Sequence, residues 1–337
     1  MTTGKEKGGA LLTVLWVSAA LAAISFSVAT SVRSETDRVS TAADGLRAWY
    51  LASGSVERAM QWMLWGSDYQ PKFWQPNKPR LYFSYQTGDV VVEMIPESAK
   101  LNINTASMDD LMRVVAAVSG NPMQAQDIAS AVLDWRSGGG GASDQYYASI
   151  GPSVGAPTFH APHASFQEIE ELLLVRGMTP ELYYGNYVSD NQGRLYASGG
   201  LRDCLSVWGS AGPFDVNTMS PALMQAVGVP SQGATAIAAR RQDAPFRNMG
   251  EVGELGYTTA RMVVGGGHII WTIRATARLR RPDGTPSEVV RTAAATVKLL
   301  DPRVYPMMPL RVLRWYDDAW SQNAVAPPGI PAGVPQQ

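Results

Sequence analysis

The chain has 337 residues, of which 45% are apolar and 17% charged, and its formal net charge is −1. This length and apolar content provide core material for two domains, and the near-zero net charge excludes a bulk attraction to polyanions. The lone cysteine, Cys204, excludes an intramolecular disulfide and a structural zinc site built on cysteines.

The N-terminal segment has the layout of a membrane helix behind a short basic leader. Lys5 and Lys7 precede a run of 25 uncharged residues, 8–32. As a helix, this run would be about 37 Å long, which is enough to cross a bilayer core. The lysines predict a cytoplasmic N-terminus and a translocated body. Two simpler interpretations stay open: a secretory signal peptide cut near Ala20-Leu21-Ala22, and a plain single-pass anchor.

A third interpretation rests on the glycine at the start of the apolar run. Lys7-Gly8, followed by Gly9 and a continuous apolar segment, resembles the prepilin-peptidase site of type IV pilin-like proteins, with cutting between Gly8 and Gly9. Those proteins usually carry a glutamate at the fifth residue of the mature chain. This sequence has Thr13 at that place.

Beyond the apolar run, the chain becomes amphipathic without a helix breaker. Apolar residues recur at spacings of three and four, which predicts a helix from Gly9 to about Trp65, roughly 85 Å long. Its first half would serve membrane or filament packing, and its second half would pack on a sheet. The apolar residues of the second half are Leu46, Trp49, Tyr50, Val56, Met60, Met63 and Leu64.

Strand patterns flank a long middle region. The segments 81–85 and 90–95 read as a pair joined by Thr87-Gly88-Asp89, and the segments 268–281 and 288–300 flank a turn at 282–286. Leu310–Tyr316 predicts an edge strand. The sequence therefore predicts an α+β fold: a long pilin-like N-terminal helix packed on an antiparallel sheet, with a large inserted α-helical domain.

The predicted domain organisation follows from these patterns. Residues 101–265 form the insert, which interrupts a pilin-type α/β domain made of 67–100 and 266–318. The remaining parts are a leader at 1–8, the stalk helix at 9–66 and a Pro-rich disordered tail at 319–337.

The insert contains an internal repeat. The segment 101–107, Leu-Asn-Ile-Asn-Thr-Ala-Ser, recurs as 214–220, Phe-Asp-Val-Asn-Thr-Met-Ser, and each copy precedes a helix with a good N-cap at Ser107 or Ser220. A duplicated helical unit accounts for this. The first copy also holds a Gly- and Pro-rich loop, 137–162, which we expect to be a mobile surface excursion.

Several motifs of the insert resemble one known family. These are the segments 102–107, Val132–Arg136, Tyr146-Tyr147 and 170–179, and they look like the helical insert of general secretion pathway protein K, the large minor pseudopilin of type II secretion systems. Members of that family typically lack the glutamate at mature position five, in agreement with Thr13.

The resemblance implies a function in assembly rather than catalysis, so the chain is not expected to be an enzyme. It implies a minor pseudopilin at the tip of a short periplasmic filament, initiating or capping it during protein export. The implied partners are the I-type and J-type minor pseudopilins, the major pseudopilin and the prepilin peptidase. The implied anchor is residues 9–32 in the bacterial inner membrane, with the body in the periplasm.

In one place the sequence departs from the family. The loop after Asp134-Trp135 is commonly acidic there and supplies calcium ligands, whereas here glycines occupy 138–141 and only Asp144 remains nearby. Calcium takes six to eight oxygen ligands, so Asp134 and Asp144 with carbonyls would form a weak site. We expect no cofactor, with weak calcium binding as the alternative.

The alternative function is that of a membrane-anchored helix-hairpin-helix DNA-binding protein. Residues 227–234 with Ile237 resemble that motif, and Arg240 with Arg241 is the local pair that favours it. However, Pro230 has no N–H to offer a phosphate, and residues 101–265 carry nine arginines and no lysine against fifteen acidic residues, a net charge of −6. Nucleic acid is therefore not an expected partner.

Enzymatic motifs are weak throughout the sequence. His160 and His163 have ligand-like spacing but no third ligand nearby, and we expect both to be solvated. The glycines at 265–267 precede a strand, with His268 at its start, and so do not predict a phosphate-binding loop.

Overall fold

The computed structural model describes residues 7–69, 74, 78–137, 142–150, 161–189, 195–265, 269–300, 304–305 and 307–319. The predicted tail lies outside these residues, except for its first one. A single helix, α1 (Lys7–Tyr69), forms the stalk and extends slightly past both predicted ends. It leads to the hairpin of β1 (Arg80–Tyr85) and β2 (Gly88–Pro96).

The two halves of α1 differ in their surroundings. Residues 9–43 are exposed, and Asp44 is the first residue of α1 that is partly buried. From Gly45 onward, small and apolar residues at spacings of three and four are buried against the sheet, which is the pattern of an amphipathic helix on a core. These residues include Ala48, Ala52, Val56, Ala59 and Met63.

The insert follows β2 through a 3₁₀ turn, Glu97–Ala99. Two short parallel pairings bring distant segments of the insert together: β3 (Leu101–Asn102) with β6 (Leu205–Ser206), and β7 (Phe214–Asp215) with β8 (Met262–Val263). A hairpin is formed by β4 (Gly185–Ser189) and β5 (Leu195–Gly199). Its elements in chain order are β3 (Leu101–Asn102), α2 (Met108–Ser119), α3 (Pro122–Arg136), α4 (Ala142–Ile150), α5 (Pro180–Tyr184), β4 (Gly185–Ser189), β5 (Leu195–Gly199), β6 (Leu205–Ser206), β7 (Phe214–Asp215), α6 (Pro221–Ala226), α7 (Ser231–Asp243), α8 (Met249–Gly253) and β8 (Met262–Val263).

One part of the predicted mobile loop is ordered structure, which corrects that prediction. Within 137–162, α4 forms a helix whose Tyr147 is buried. The Tyr147 ring meets the Trp135 ring edge-on with centroids 5.8 Å apart, and Trp135 also stacks on Phe166. The aromatic contact anchors a segment whose Gly- and Ser-rich flanks masked its helical pattern. Residues 138–141 and 151–160 lie outside the described part.

The chain returns to the sheet in β9 (Ile270–Arg280), β10 (Pro286–Leu299) and β11 (Leu310–Tyr316). The sheet is antiparallel in the order β1-β2-β9-β10-β11, so β11 is an edge strand, as the sequence predicts. The α+β fold class, with a long helix on an antiparallel sheet and an inserted helical region, is confirmed.

The two faces of the sheet have different chemistry. On one face Ile273, Ala275 and Ala295 are buried and form a core with α1. On the other face threonines of β9 and β10 pair through their hydroxyls, Thr272 with Thr296 at 2.9 Å and Thr276 with Thr292 at 3.3 Å. The helical insert has a separate apolar core, and it lies against this polar face.

Candidate functional site

The predicted processing site lies at the start of α1. The helix already includes Gly8 and Gly9, while residues 1–6 of the leader lie outside the described part. Thr13, at mature position five, donates its hydroxyl to the carbonyls of Gly9 at 3.2 Å and Ala10 at 2.9 Å. Its side chain is therefore bonded to its own helix, and the position offers a neighbour no carboxylate.

The first half of α1 is an exposed apolar surface. Leu11, Trp16 and Phe26 are each more than two-thirds exposed. Among the described residues, α1 is the helix that is long and apolar enough to cross a membrane. The first half of α1 is thus an exposed apolar segment, while its second half packs on the sheet of the body.

The two copies of the insert repeat make the same contacts. The Asn104 amide donates to the Phe166 carbonyl at 2.9 Å and accepts from the Phe166 N–H at 2.7 Å. Asn217 makes the same pair of bonds with Phe246, at 3.0 and 2.8 Å. Each asparagine ties the start of its unit to a phenylalanine further along the chain.

An arginine completes each copy. Arg136 donates to the carbonyls of Ile103 and Ala106, and Arg241 donates to those of Val216 at 2.9 Å and Met219 at 2.7 Å. Burial lowers the pKa of Arg241 to about 10. The Arg241 guanidinium therefore binds carbonyls of its own chain. Of the pair Arg240 and Arg241 that favoured DNA binding, Arg241 is thus already engaged within the insert.

The other half of that pair is exposed but also serves its own unit. Arg240 donates to the Ala244 carbonyl at 2.9 Å and lies over the Phe246 ring. Gly228 of the hairpin has a positive φ of 101°, and Pro230 follows as the N-cap of α7 without an N–H to donate. The nucleic-acid alternative gains no support from this geometry.

The candidate calcium ligands are joined by a histidine. His163 Nε2 lies 2.9 Å from the Asp144 carboxylate, and its Nδ1 lies 3.2 Å from the Asp134 carbonyl and 3.1 Å from the Ser137 carbonyl. Both ring nitrogens face oxygens that only accept, so the doubly protonated imidazolium fits. Burial alone would lower the pKa of His163, but the Asp134 carbonyl and the Asp144 carboxylate outweigh it and raise that pKa.

The described residues do not test the calcium prediction. The Asp144 carboxylate already pairs with the His163 ring, and across the described ranges no cluster of three or more metal-ligating side chains occurs. The glycines 138–141, the segment 151–160 with His160, and His268 lie outside those ranges. The weak calcium site at Asp134 and Asp144 therefore stays an untested prediction.

A cleft lies between the insert and the polar face of the sheet, and nothing in the sequence analysis predicted it. The volume of this cleft is about 410 Å³. Lys100 pairs with Glu97 at 3.2 Å inside it, and Arg314 of β11 pairs with Glu168 of the insert. The lining residues come from segments far apart in the chain, so no local pattern could have predicted the cleft.

Two comparisons with known proteins match this architecture. Residues 92–185 match the family model described as Type II secretion system (T2SS), protein K. The whole fold resembles a chain of the crystal structure of the GspK-GspI-GspJ complex from the type 2 secretion system of enterotoxigenic Escherichia coli. The TM-score is 0.52 and the identity 15%, over 82% of this chain and 97% of that chain. No match is found among curated proteins.

The long stalk helix on an antiparallel sheet with a helical insert is thus the fold of the GspK-GspI-GspJ crystal structure's matched chain, and part of the insert matches the protein K model of the type II secretion system. Both comparisons support protein K of the type II secretion system as the family that this chain resembles. The resemblance inferred from the insert motifs is confirmed.

Proposed function

We propose that this chain occupies the tip of the type II secretion pseudopilus, where it initiates or caps the filament with I-type and J-type minor pseudopilins. Its stalk would start in the bacterial inner membrane, with the N-terminus in the cytoplasm and the body in the periplasm. A major pseudopilin would follow below, and a prepilin peptidase would cut the chain between Gly8 and Gly9 beforehand. The role is assembly, not catalysis.

The observation that carries the proposal is the side chain at mature position five. In pilin-like filaments a carboxylate there pairs with the free N-terminus of a neighbour and links a subunit to the one above it. Here the Thr13 hydroxyl is bonded to the carbonyls of its own helix turn. A subunit that lacks this upward link is suited to the top position.

The bulk of the insert supports the same position. It lies across the polar face of the sheet and has its own apolar core, which adds a second layer to the pilin-type body. A further subunit stacked above would have to displace this layer. The crystal structure with a similar fold contains GspI and GspJ beside GspK, which suggests partners of those types for this chain.

The proposed processing is tested by mass spectrometry of the mature N-terminus. The full chain is isolated from membranes with and without an active prepilin peptidase. A start at Gly9 that depends on the enzyme is expected. An uncut chain, or a start near Ala23, would contradict the pseudopilin reading and favour a plain anchor or a signal peptide.

The tip position is tested by placing a carboxylate at position five. Thr13→Glu should allow an upward link and reduce filament initiation, whereas Thr13→Gln, of the same size and neutral, should not. Initiation is scored as pseudopilus number in cells that overproduce the major pseudopilin. Equal numbers for wild type and Thr13→Glu would remove this argument.

A further inference from the structure

The cleft between the insert and the polar face of the sheet has the size of a small-ligand site. Its volume, about 410 Å³, lies within the range of pockets that hold small molecules, and such pockets are common where two folded units meet. One wall belongs to the sheet and the other to the insert, and each unit has its own apolar core. A molecule bound there would contact both units at once.

Two arginines line this cleft from its two walls. Arg274 comes from β9 of the sheet and Arg202 from the insert, and their side chains are only 20% and 11% exposed. Burial lowers the pKa of Arg202; the Asp203 carboxylate counteracts this effect, and the positive charge of Arg274 adds to it. Holding two cations near each other away from water costs free energy, which a bound anion would offset.

The chain leaves part of the Arg274 guanidinium unsatisfied. Its contact with Glu93 is 3.6 Å from Nη1 to Oε2, which is longer than a hydrogen bond. Its Nε is buried and has no hydrogen-bond partner within the described ranges, although buried donors are normally bonded. A carboxylate near Arg274 and Arg202 would offer two oxygens, each able to accept from a guanidinium group.

Apolar and aromatic side chains lie beside the arginines. The Tyr184 ring lies against Arg202, with 5.4 Å between the ring centroid and the guanidinium carbon, and this contact helps to orient the cation. Ile169, Val207 and Trp208 of the insert also line the cleft, and Trp208 keeps 37% of its surface exposed. These surfaces suit an aromatic or branched aliphatic group rather than a fully hydrated ion.

The acidic residues of the cleft limit the charge of the ligand. Glu97, Glu168 and Asp203 each lie beside a cation of the chain. Glu170 and Asp318 also line the cleft and are exposed to solvent. Their negative charge would repel a dianion such as phosphate more strongly than a singly charged carboxylate.

We propose that this cleft binds a small organic acid that has one carboxylate and an apolar, preferably aromatic, body. The carboxylate lies between Arg202 and Arg274, and the body lies against Tyr184 and Trp208. The bound molecule joins the insert to the sheet. It does so wherever the chain stands in a filament, so this proposal is independent of the tip position.

Three probes test the two parts of the proposal on the full chain purified in detergent. Phenylacetate carries the carboxylate and the ring, phenylacetamide keeps the ring without the charge, and acetate keeps the charge without the ring. Calorimetry should give a dissociation constant of about 1 mM or tighter for phenylacetate, and values at least roughly tenfold weaker for the other two. This comparison uses the wild-type chain, so it stands even if a variant fails to fold.

A pair of arginine variants locates the site. Arg274→Gln should weaken phenylacetate binding roughly tenfold or more and abolish its advantage over phenylacetamide. Arg278→Gln is the matched control, because Arg278 lies four residues further along β9 on the same face. Its Nε is likewise buried without a hydrogen-bond partner in the described part of the chain, but it lies outside the cleft lining. This variant should keep the wild-type dissociation constant within about twofold.

The outcomes that overturn the proposal are distinct. Equal affinities of the wild-type chain for phenylacetate and phenylacetamide would show that the arginines bind no carboxylate. Equal affinities for phenylacetate and acetate would remove the contact with the aromatic wall. The site itself is overturned by equal losses in the Arg274 and Arg278 variants, or by the absence of saturable phenylacetate binding up to about 10 mM.

Discussion

At the residue scale, Arg241 shows how the insert stabilises its repeated unit. Its partly buried guanidinium donates to the carbonyls of Val216 and Met219. Arg241→Met should lower the free energy of unfolding by about 1–3 kcal/mol, because buried carbonyls lose their charged donor. The adjacent Arg240→Met is the control and should cost less, at most about 1 kcal/mol, because the contacts of Arg240 with Ala244 and Phe246 are on the exposed surface. Chemical unfolding of the detergent-solubilised chain measures the free energy of unfolding of both variants. An equal loss of stability in the two variants would contradict the stabilising role of Arg241.

A carboxylate joins the two copies and makes the insert sensitive to acid. Asp110 accepts hydrogen bonds from Arg113 at 2.9 Å, from Ser107 at 2.9 Å and from Arg261 of the second copy. Burial alone would raise the pKa of Asp110, but the bonds from Arg113, Arg261 and Ser107 outweigh it and hold the pKa below its ordinary value of 3.8. Ionised Asp110 therefore stabilises the folded state.

The pH dependence follows from this sign. Because the folded pKa is depressed, the stabilisation is present above the ordinary pKa and is lost as the pH falls through the folded value. Asp110→Asn should cost about 1 kcal/mol at pH 7 and much less near pH 3. Denaturant titrations at both pH values measure the difference. Asp109→Asn, at the exposed neighbour, should cost little at either pH; a loss that does not depend on pH would contradict the role of the charge.

At the element scale, the success of sequence reasoning depended on how local the signal was. The stalk helix and the two sheet hairpins follow from apolar periodicity and from turn residues within a few positions. The helix α1 exceeds its predicted range by only a few residues at each end. By contrast, α4 is fixed by the packing of Tyr147 on Trp135 and lies in a Gly-rich context that hid it. The His163 contacts and the cleft join distant segments, so no local pattern encodes them.

One glycine controls how closely two strands approach. A Cβ on Gly88 would lie 2.4 Å from the Arg278 carbonyl oxygen and 2.9 Å from the Leu279 Cα, both backbone atoms of β9. Gly88→Ala should therefore push β2 from β9 and cost about 1–3 kcal/mol of unfolding free energy.

The matched control is a glycine with free space around it. A Cβ on Gly54 in α1 meets no atom within 4 Å, so Gly54→Ala should stabilise the helix by about 0.5–1 kcal/mol. Thermal unfolding of both variants followed by circular dichroism distinguishes them. A Gly88→Ala variant as stable as wild type would show that the strands have room.

At the scale of the whole molecule, the stalk and sheet share one apolar core and the insert has another. The cleft between them is lined by threonines and ion pairs together with apolar side chains such as Ile95 and Ile169, and Arg314 with Glu168 spans it. Among the described residues, no member of one core belongs to the other, so the pilin-type body has an apolar core of its own. Because the two cores are separate, we expect the body of stalk and sheet to stay folded when the insert is removed.

The connection points of the insert allow that independence to be tested. Pro96 at the end of β2 and Trp271 in β9 are opposite partners in the antiparallel pairing, so a short hairpin loop can replace residues 97–270. The shortened chain should keep α1 and its sheet, because the core that joins them lies on the opposite face of the sheet from the insert. Far-UV circular dichroism and limited proteolysis should show a cooperative, protease-resistant body.

The control in that shortened chain is Val56→Asp, which places a charge in the core between α1 and the sheet, where Val56 is fully buried. That variant should lose the resistant fragment, because an unpaired buried carboxylate costs several kcal/mol. If the shortened chain without the control substitution is already degraded, the polar face needs its cover and the two cores fold as one unit. If it resists, the insert is a separable layer, and the shortened chain can then be used to test whether the proposed tip position depends on the insert.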